Sequence, residues 1–373
     1  MEKSIYSRRL DLLRDRLQET DGEPCDTVWV IRPENRRYLS GFRAQDLQFT
    51  ELSGSLLINK TRSLLVTDSR YLVQAEEEAV DFQVQVLKKD LAEELAQLID
   101  GLGTKRLGFE AGYLTWGLHA KLKEQLSALS PAVDLVPLNG LIEEMREIKD
   151  GEELSSIRGA ADLISGIFRE LIPSLRPGMR EKEVAWEIEA LARDGGAEAL
   201  SFPSIVASGP NSAMPHAVPT DRRIGPREPV IIDAGVRLEG YCSDMTRTVF
   251  LEGPDEEFRK IYKTVRHAQV SALKEVRPMV ESTRLDSAAR LVIEEAGFGE
   301  RFGHGLGHGV GLAVHEGPKV GPRNPVNLRE GMVFTVEPGI YIPGRGGVRL
   351  EEMVLVTDRG PEVLTGNRYL HEF

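Results

Sequence analysis

Two pairs of acidic residues, each placed almost symmetrically about a turn, restrict the folds that this chain can adopt. Residues 229–250 contain two runs rich in β-branched and aromatic residues around Glu239-Gly240, a pattern typical of a β-hairpin. Asp233 and Asp244 lie at nearly equal distances from this turn. We therefore expect the two aspartates to lie close to opposite each other, on the same face of the hairpin.

The second acidic pair repeats this arrangement in a hairpin predicted over residues 332–351. Glu337 and Glu351 lie symmetrically about the glycine-rich loop at 343–347. Like charges that face each other destabilise a sheet unless a cation lies between them. Carboxylate-rich sites with an imidazole suit manganese, iron, cobalt or zinc, and four shared carboxylates exceed what one ion needs. The sequence therefore predicts a hydrolase with two divalent ions bridged by carboxylates.

A glycine-rich segment supplies most of the candidate imidazoles. Of the seven histidines, His304, His308 and His315 lie within residues 302–318. His216 is a fourth candidate, and its spacing supports it least. The alternate glycines of the segment exclude a regular helix, and with it the zinc-binding helix of HExxH proteases. They also allow the backbone to approach a ligand closely.

Ion pairing is the simplest alternative role for the four acids. Arg247, Arg345 and Arg349 lie on the same two predicted hairpins. A single acid beside an arginine is more often ion-paired than metal-bound. Two symmetric acid pairs together with a histidine-rich motif nevertheless favour a metal site.

The order of these residues resembles that of the pita-bread metallopeptidases, the group that includes methionine aminopeptidase, prolidase, aminopeptidase P and creatinase. The surrounding His-Gly-x-Gly-His, Glu-Pro-Gly and Arg-x-Glu motifs are all present. The resemblance implies that Asp233 binds one ion, that His308 and Glu337 bind the other, and that Asp244 and Glu351 bridge both. It also implies that a bridging water or hydroxide is the nucleophile.

The same resemblance implies roles for further residues of the site. Glu337 would shuttle the proton. His216 and His315 would orient the substrate and stabilise the tetrahedral intermediate, and His304 would line the specificity pocket. Two more side chains would support these groups: Tyr341 and Arg349.

The length of the chain indicates a second domain. With 373 residues the chain is about one domain longer than a methionine aminopeptidase would need. The additional N-terminal part resembles the corresponding domain of creatinase, prolidase and aminopeptidase P. We expect an α/β (α+β) fold with a creatinase/prolidase-like α/β domain over residues 1–147 and a pita-bread catalytic domain over residues 148–373.

Hydrophobic patterns predict the elements of the N-terminal domain. Apolar strands are predicted over residues 31–42, 54–59 and 63–67. Further elements alternate along the chain: helices over residues 5–17, 91–99 and 118–129, and strands over residues 82–87, 107–109 and 133–138. This alternation favours a layered α/β domain.

The catalytic domain shows an internal repeat. Helices predicted over residues 152–175 and 181–193 are followed, at an offset of 101 residues, by helices predicted over residues 255–276 and 285–296. Each helix pair precedes one of the acid-bearing hairpins. The sequence therefore predicts two αα-β halves, related by a pseudo-twofold axis, that meet at the metal site.

Composition restricts the partners and the location. A net charge of -12 and a pI near 5.3 disfavour nucleic acid as a partner. The sequence has no apolar stretch long enough to span a membrane, and its two cysteines suggest no disulfide framework. We expect a soluble, cytoplasmic enzyme without membrane association.

The resemblance favours hydrolysis of the bond between an N-terminal residue and proline, as in an Xaa-Pro aminopeptidase or an Xaa-Pro dipeptidase. Peptides with proline at the second position would be the substrates, and the sequence leaves both activities open. Two divalent ions are implied, with manganese preferred and cobalt, iron or zinc as alternatives. A homodimer is also implied.

Three alternatives are kept beside this prediction. One is a methionine aminopeptidase-like enzyme, which the N-terminal domain disfavours. Another is a creatinase-like enzyme or lyase that acts on a small molecule. The last is a catalytically inactive pita-bread binding protein. Retention of all five ligand positions argues against the creatinase-like and the inactive alternatives.

Overall fold

The computed structural model describes residues 3–19, 25–46, 48, 51–323 and 325–366. The chain forms two compact units that divide between Met145 and Arg146. None of the helices in the described ranges combines the length and the apolar character that crossing a bilayer requires.

The N-terminal unit is a mixed six-stranded sheet with helices. Its strands are β1 (Thr27–Val30), β2 (Gly54–Asn59), β3 (Ser63–Thr67), β4 (Gln83–Val86), β5 (Arg106–Glu110) and β6 (Asp134–Leu138). Its helices are α1 (Ile5–Glu19), α2 (Pro33–Ser40), α3 (Leu72–Glu78), α4 (Leu91–Gly101) and α5 (Trp116–Ser127), and α6 (Leu141–Glu147) crosses the division. The strand order is β4-β3-β2-β1-β5-β6, with β1, β5 and β6 mutually parallel.

One predicted strand of this unit is wrong. The sequence pattern predicts a strand over residues 31–42, but Pro33–Ser40 forms helix α2. Pro33 lies in the first turn, where its missing N–H leaves no hydrogen bond unmade, and Gly41 ends the helix with a φ of 78°. These local start and stop signals outweigh the apolar composition of the segment.

The C-terminal unit contains two helix pairs and several antiparallel sheets. The helices are α7 (Gly151–Ser174), α8 (Glu181–Asp194), α9 (Glu256–Glu275) and α10 (Ser282–Glu295). The strands of the first half are β7 (Ala199–Leu200), β8 (Ile205–Ser208), β9 (Val230–Ala234), β10 (Val236–Leu238), β11 (Tyr241–Cys242) and β12 (Met245–Val249). Those of the second half are β13 (Gly307–Gly309), β14 (Glu316–Val320), β15 (Val333–Val336), β16 (Gly339–Ile342), β17 (Gly346–Arg349), β18 (Glu352–Thr357) and β19 (Gly360–Val363).

The two halves repeat the same order of elements. Both ends of α10 lie 101 residues after the corresponding ends of α8, which is the offset that the sequence predicts. Helices α7 and α8 pack on the sheet β12-β9-β8 through an apolar core that includes Ile164, Val184 and Ile232. Helices α9 and α10 pack on β15 to β18 through a second core that includes Leu285 and Phe334. The predicted α/β fold with a duplicated C-terminal domain is confirmed.

Candidate metal centre

The first hairpin places Asp233 and Asp244 on one face, but not directly opposite each other. Glu239 and Gly240 form its turn with φ values of 49° and 80°, as a tight hairpin turn requires. The resulting register pairs Asp233 with Thr246. Asp244 lies two residues before Thr246, so it is a diagonal neighbour of Asp233. Asp233 lies two residues farther than Asp244 from the centre of this turn, so the two aspartates are close to each other but not directly opposite.

The second hairpin places Glu337 and Glu351 at facing positions. Two ladders on either side of this pair have the same register: Val336 pairs with Glu352, and Gly339 pairs with Arg349. Pro338 has no N–H to donate and lies where the ladder is interrupted. The two glutamates therefore face each other in the gap, as the symmetry of the loop predicts.

Thr246 joins the two hairpins. Its carbonyl oxygen accepts a hydrogen bond of 3.1 Å from the backbone N–H of Glu351. Its Oγ1 donates one of 2.7 Å to Oε2 of Glu351. The side chain that the first hairpin places opposite Asp233 thus orients a carboxylate of the second hairpin.

His308 lies in β13 with its Nε2 towards the carboxylates. Nδ1 lies 3.2 Å from the carbonyl oxygen of Gly309 and donates to it, so Nε2 is the nitrogen that an unprotonated ring would offer to a cation. Nε2 is 3.3 Å from Oε1 of Glu337 and 3.7 Å from Oδ2 of Asp244. The backbone N–H of His308 donates to Oγ1 of Thr335, which in turn contacts Glu337 at 3.1 Å.

The five predicted ligands lie together in one buried cluster. Ligand atoms of Asp244, His308 and Glu351 lie within 4.8 Å of one another. These three residues, Asp233 and Glu337 all line a single cavity of about 500 Å³. The exposed fractions of Asp233, Asp244 and Glu351 are 8%, 4% and 2%. The chain thus concentrates four carboxylates where water is largely excluded.

The electrostatics of this cluster call for positive charge. Burial raises the pKa of Asp244 and of Glu351 well above their usual values, and the neighbouring carboxylates raise both further. Burial would also raise the pKa of Glu337, but the hydrogen bond and positive charge of His308 lower it to about 2. Burial also raises the pKa of Asp233, although Arg349 lies beside it.

Arginine neutralises only part of this charge. Nη2 of Arg349 donates to Oδ2 of Asp233 at 2.6 Å, whereas Oδ1 of Asp233 is buried and has no hydrogen-bond partner among the described residues. The other two hairpin arginines pair elsewhere: Arg247 with Glu352 and Arg345 with Glu257. Pairing of the three hairpin arginines therefore accounts for one carboxylate oxygen of the cluster, Oδ2 of Asp233. The unpaired Oδ1 and the excess of carboxylates fit a site for divalent cations.

Arg349 also anchors a chain of hydrogen bonds. Its Nη1 donates to the hydroxyl of Tyr341 and to the carbonyl of Pro215, each at 3.0 Å. The Tyr341 hydroxyl lies 3.0 Å from Nε2 of His304, whose Nδ1 lies 2.8 Å from the carbonyl of Gly305. Burial lowers the pKa of His304. The neutral ring of His304 therefore donates a hydrogen bond from Nδ1 and accepts one from the Tyr341 hydroxyl at Nε2.

His216 and His315 line the same cavity with more exposed side chains. The ring of His315 meets that of His308 edge-on, with centroids 4.2 Å apart and planes at 72°. Burial lowers the pKa of His315. All the histidines that the sequence singled out are thus brought to one cavity.

Two groups of residues at this site were not predicted. Thr246 and Thr335 hydrogen-bond the carboxylates of Glu351 and Glu337. Each threonine lies two residues before or after a predicted ligand, so strand alternation could have placed it on the same face. An apolar wall completes the cavity: Phe202, Pro203, Ile205, Ala217, Val218 and Pro219. Apart from Ile205 at the start of β8, these residues lie in loops, and no local sequence pattern predicts that the loops approach the ligands.

Comparison with known families assigns both parts of the chain. Residues 155–358 match the model of metallopeptidase family M24. Residues 9–148 match the creatinase/prolidase N-terminal domain.

Individual relatives match over nearly their whole length. An Xaa-Pro dipeptidase from Pyrococcus furiosus is 36% identical, over 95% of this chain and 98% of its own length. The solved structure of an Xaa-Pro dipeptidase from Bacillus anthracis superposes with a TM-score of 0.90 at 35% identity, covering 97% of this chain and 98% of that one. An X-Pro aminopeptidase from Thermotoga maritima superposes with a TM-score of 0.83 at 36% identity, covering 95% and 98%.

Proposed function

The chain belongs to metallopeptidase family M24, and we propose that it is a divalent-metal-dependent exopeptidase that cleaves the bond between an N-terminal residue and proline. The observation that carries the proposal is the buried cluster of four carboxylates around His308, with an unpaired oxygen on Asp233. Relatives that are 35% to 36% identical are Xaa-Pro dipeptidases and an X-Pro aminopeptidase. Their names support the same substrate class for this chain.

Five residues would hold two divalent ions. Asp233 would bind one ion through its unpaired Oδ1, and His308 and Glu337 would bind the other. Asp244 and Glu351 would bridge the two. When bound, the ions would lower the pKa of a water molecule and stabilise the negative charge that develops on the scissile carbonyl oxygen. Manganese is the ion that we propose.

The remaining groups of the cavity would handle protons and the substrate. Glu337 faces Glu351 and lies beside His308, and it would accept the proton of the attacking water and transfer it to the leaving proline nitrogen. His216 and His315 would donate hydrogen bonds to the substrate. His304, held by Tyr341, would form part of the pocket wall.

The apolar wall of the cavity suits a substrate with a proline ring. A proline nitrogen carries no hydrogen once it forms a peptide bond, so recognition must depend on the ring rather than on a donated hydrogen bond. Phe202, Pro203 and Val218 offer apolar surface in the cavity that contains the ligands. A methionine aminopeptidase-like or creatinase-like activity has no comparable support.

Three finer points belong to the same proposal. Both a dipeptide and a longer chain are kept as substrates, because relatives of both kinds have similar sequence identity to this chain. We propose a homodimer, which sedimentation would test: a monomer at assay concentration would contradict it. The cytoplasmic location stays a prediction.

The proposal is tested by turnover of three peptides: Ala-Pro, Arg-Pro-Pro and Met-Ala-Ser. Purified protein would be assayed with manganese, cobalt or zinc, beside a sample treated with EDTA. We expect hydrolysis of the two proline peptides only, lost in EDTA and restored by added metal. The ratio of Ala-Pro to Arg-Pro-Pro turnover then separates a dipeptidase from an aminopeptidase. Cleavage of Met-Ala-Ser alone, or equal turnover with and without EDTA, would contradict the proposal.

A further inference from the structure

Glu316 directly follows His315 in the chain but occupies the opposite environment. His315 is an exposed side chain of the cavity, whereas the side chain of Glu316 is only 4% exposed. A buried carboxylate is costly unless cations or donors surround it. The neighbours of Glu316 therefore show what fixes this part of the chain.

Two buried cations hold the Glu316 carboxylate. Oε1 lies 3.0 Å from Nζ of Lys149, and Oε2 forms an ion pair with Nη2 of Arg146. The backbone N–H of Ala313 also donates to Oε2 at 3.2 Å. The side chains of Arg146 and Lys149 are 2% and 1% exposed. Burial alone would raise the pKa of Glu316, but these two cations lower it.

The backbone of the segment that carries both cations is also held by hydrogen bonds of its own. They belong to the segment 146–149, which enters the C-terminal unit ahead of α7. The backbone N–H of Lys149 donates to the carbonyl of Gly331 at 3.0 Å, and Ile148 forms a β-bridge with Met332. Residues 331–332 immediately precede β15, which leads to Glu337. The segment is thus tied to the same strand that delivers a candidate metal ligand.

Glycines of the histidine motif leave space for the side chain of Glu316 and for the backbone next to it. A Cβ at Gly311 would overlap the carboxylate of Glu316, and one at Gly309 would overlap the carbonyl of Gly317. A Cβ at Gly317 would in turn overlap the side chain of Glu147. Part of the glycine pattern after His308 therefore accommodates Glu316 and its neighbour rather than a ligand.

Glu316 is adjacent in sequence to His315, which lines the cavity. His315 ends the loop between β13 and β14, and its ring packs edge-on against the candidate ligand His308 at 4.2 Å. The carboxylate of Glu316 also accepts a hydrogen bond from the backbone N–H of Ala313, so the residues on both sides of the His315 segment are connected through it. Movement of that carboxylate would move His315 relative to His308.

We propose that Glu316 is a positioning residue for His315, and that Arg146 and Lys149 of the entering segment hold it in place. The inference rests on the proposed function for the role of His315 but concerns residues outside the metal cluster. If it is correct, the segment 146–149 does more than lead into α7: it helps to hold a residue of the proposed active site in position. A purely structural role is the alternative, in which the cluster stabilises the unit without affecting His315 in particular.

The decisive variant is Lys149→Met, because Lys149 is far from His315 in sequence. The ring signals of histidine-labelled protein would be recorded by NMR without added metal, with His315 assigned by its loss in His315→Ala. We expect Lys149→Met to shift or broaden the His315 signals and to leave those of His119 and His267 unchanged. Unchanged His315 signals in a folded variant would overturn the proposal. This result does not depend on catalysis, so it stands even if no Xaa-Pro peptide is cleaved.

A double-mutant cycle provides the kinetic test. Glu316→Gln and Lys149→Met would each be made alone and together with His315→Ala, and Ala-Pro turnover would be measured with manganese. We expect each to lower kcat by about 10- to 100-fold in the presence of His315, with a smaller change in KM, and by less than about twofold when His315 is already alanine. Equal losses in both backgrounds would show a general structural role and overturn the proposal.

Destabilisation needs its own control. Asp46→Asn removes the acid of another buried ion pair, with Arg36 in the N-terminal unit, where the side chains are 2% and 0% exposed. We expect it to lower the melting temperature without changing the His315 signals. If Glu316→Gln does not fold, Lys149→Met retains the pairing of Glu316 with Arg146 and still decides the question.

Discussion

Asp233 and Arg349 are joined by a hydrogen bond of 2.6 Å between Oδ2 and Nη2, which leaves Oδ1 of the aspartate buried and unpaired. The same guanidinium donates to Tyr341, to Oγ1 of Thr246 and to the carbonyl of Pro215. Because four acceptors fix the arginine, it fixes the aspartate. A carboxylate held in this way by one oxygen presents the other to a cation in a defined direction.

Replacing Arg349 should therefore weaken metal binding. Arg349→Lys keeps the charge but cannot reach Asp233 and Tyr341 with a planar fork. We expect manganese affinity, measured by calorimetric titration, to fall by about 10- to 100-fold. Arg158→Lys is the control, since Arg158 pairs with Glu362 at the surface of the same unit. Equal manganese affinity in Arg349→Lys and the native protein would contradict this reading of the contact.

His308 donates from Nδ1 to the carbonyl of Gly309 and turns Nε2 towards Glu337 and Asp244. His308→Ala removes the proposed Nε2 ligand and the contact that lowers the pKa of Glu337. We expect Ala-Pro turnover to be lost while the circular dichroism spectrum is retained. His267→Ala, on the exposed face of α9, should leave turnover unchanged. An active His308→Ala protein would remove His308 from the ligand set.

The two threonines offer a finer test of the carboxylates. Thr246→Val and Thr335→Val keep the side-chain shape but remove hydrogen bonds to Glu351 and Glu337. Each should lower manganese affinity by about 10-fold, because partners of ligating carboxylates orient them. Thr264→Val, in the middle of α9, serves as the control. A loss of affinity in Thr264→Val as large as in the two site variants would contradict a specific role of these hydrogen bonds.

The fold could be predicted from sequence where the signals were local. Both ends of helix α8 recur 101 residues later, and the facing positions of Glu337 and Glu351 follow from a regular loop between two short ladders. Asp244 lies diagonal to Asp233, and not directly opposite it, because the turn at Glu239-Gly240 fixes the register of the hairpin. The strand predicted over residues 31–42 failed because Pro33 and Gly41 start and end a helix there.

Other parts of the site have no local signal. Arg146 and Glu316 are 170 residues apart in the chain, and neither residue lies in a pattern that predicts its partner. The apolar wall combines loops near residues 202–205 and 215–219. Such contacts depend on how distant parts of the chain pack together. The hydrophobic periodicity of a single helix or strand does not predict them.

The stability of the C-terminal unit should depend on pH through Glu316. Arg146 and Lys149 hold its pKa below the usual 4.5 in the folded state. The ionised form thus stabilises the fold above about pH 4.5, and this contribution is lost as pH falls through the lowered pKa. Glu316→Gln removes the charge that both buried cations contact, and we expect it to cost about 3 to 5 kcal/mol of unfolding free energy at pH 7.

Chemical denaturation of both proteins between pH 3 and 7 checks this expectation. The difference in unfolding free energy between native protein and Glu316→Gln should shrink as pH falls below the usual pKa of a glutamate. A difference that stays constant over the whole range would mean that Glu316 does not contribute through its charge.

The most direct test of the central claim combines metal content and catalysis in one titration. Protein stripped with EDTA and dialysed would receive increasing manganese, and bound ions per chain and hydrolysis of Ala-Pro would be measured in each sample. The account predicts binding that saturates at two ions per chain, with Ala-Pro hydrolysis that appears as the ions bind. Full hydrolysis of Ala-Pro without bound metal, or two bound ions with no cleavage of any Xaa-Pro peptide, would contradict it.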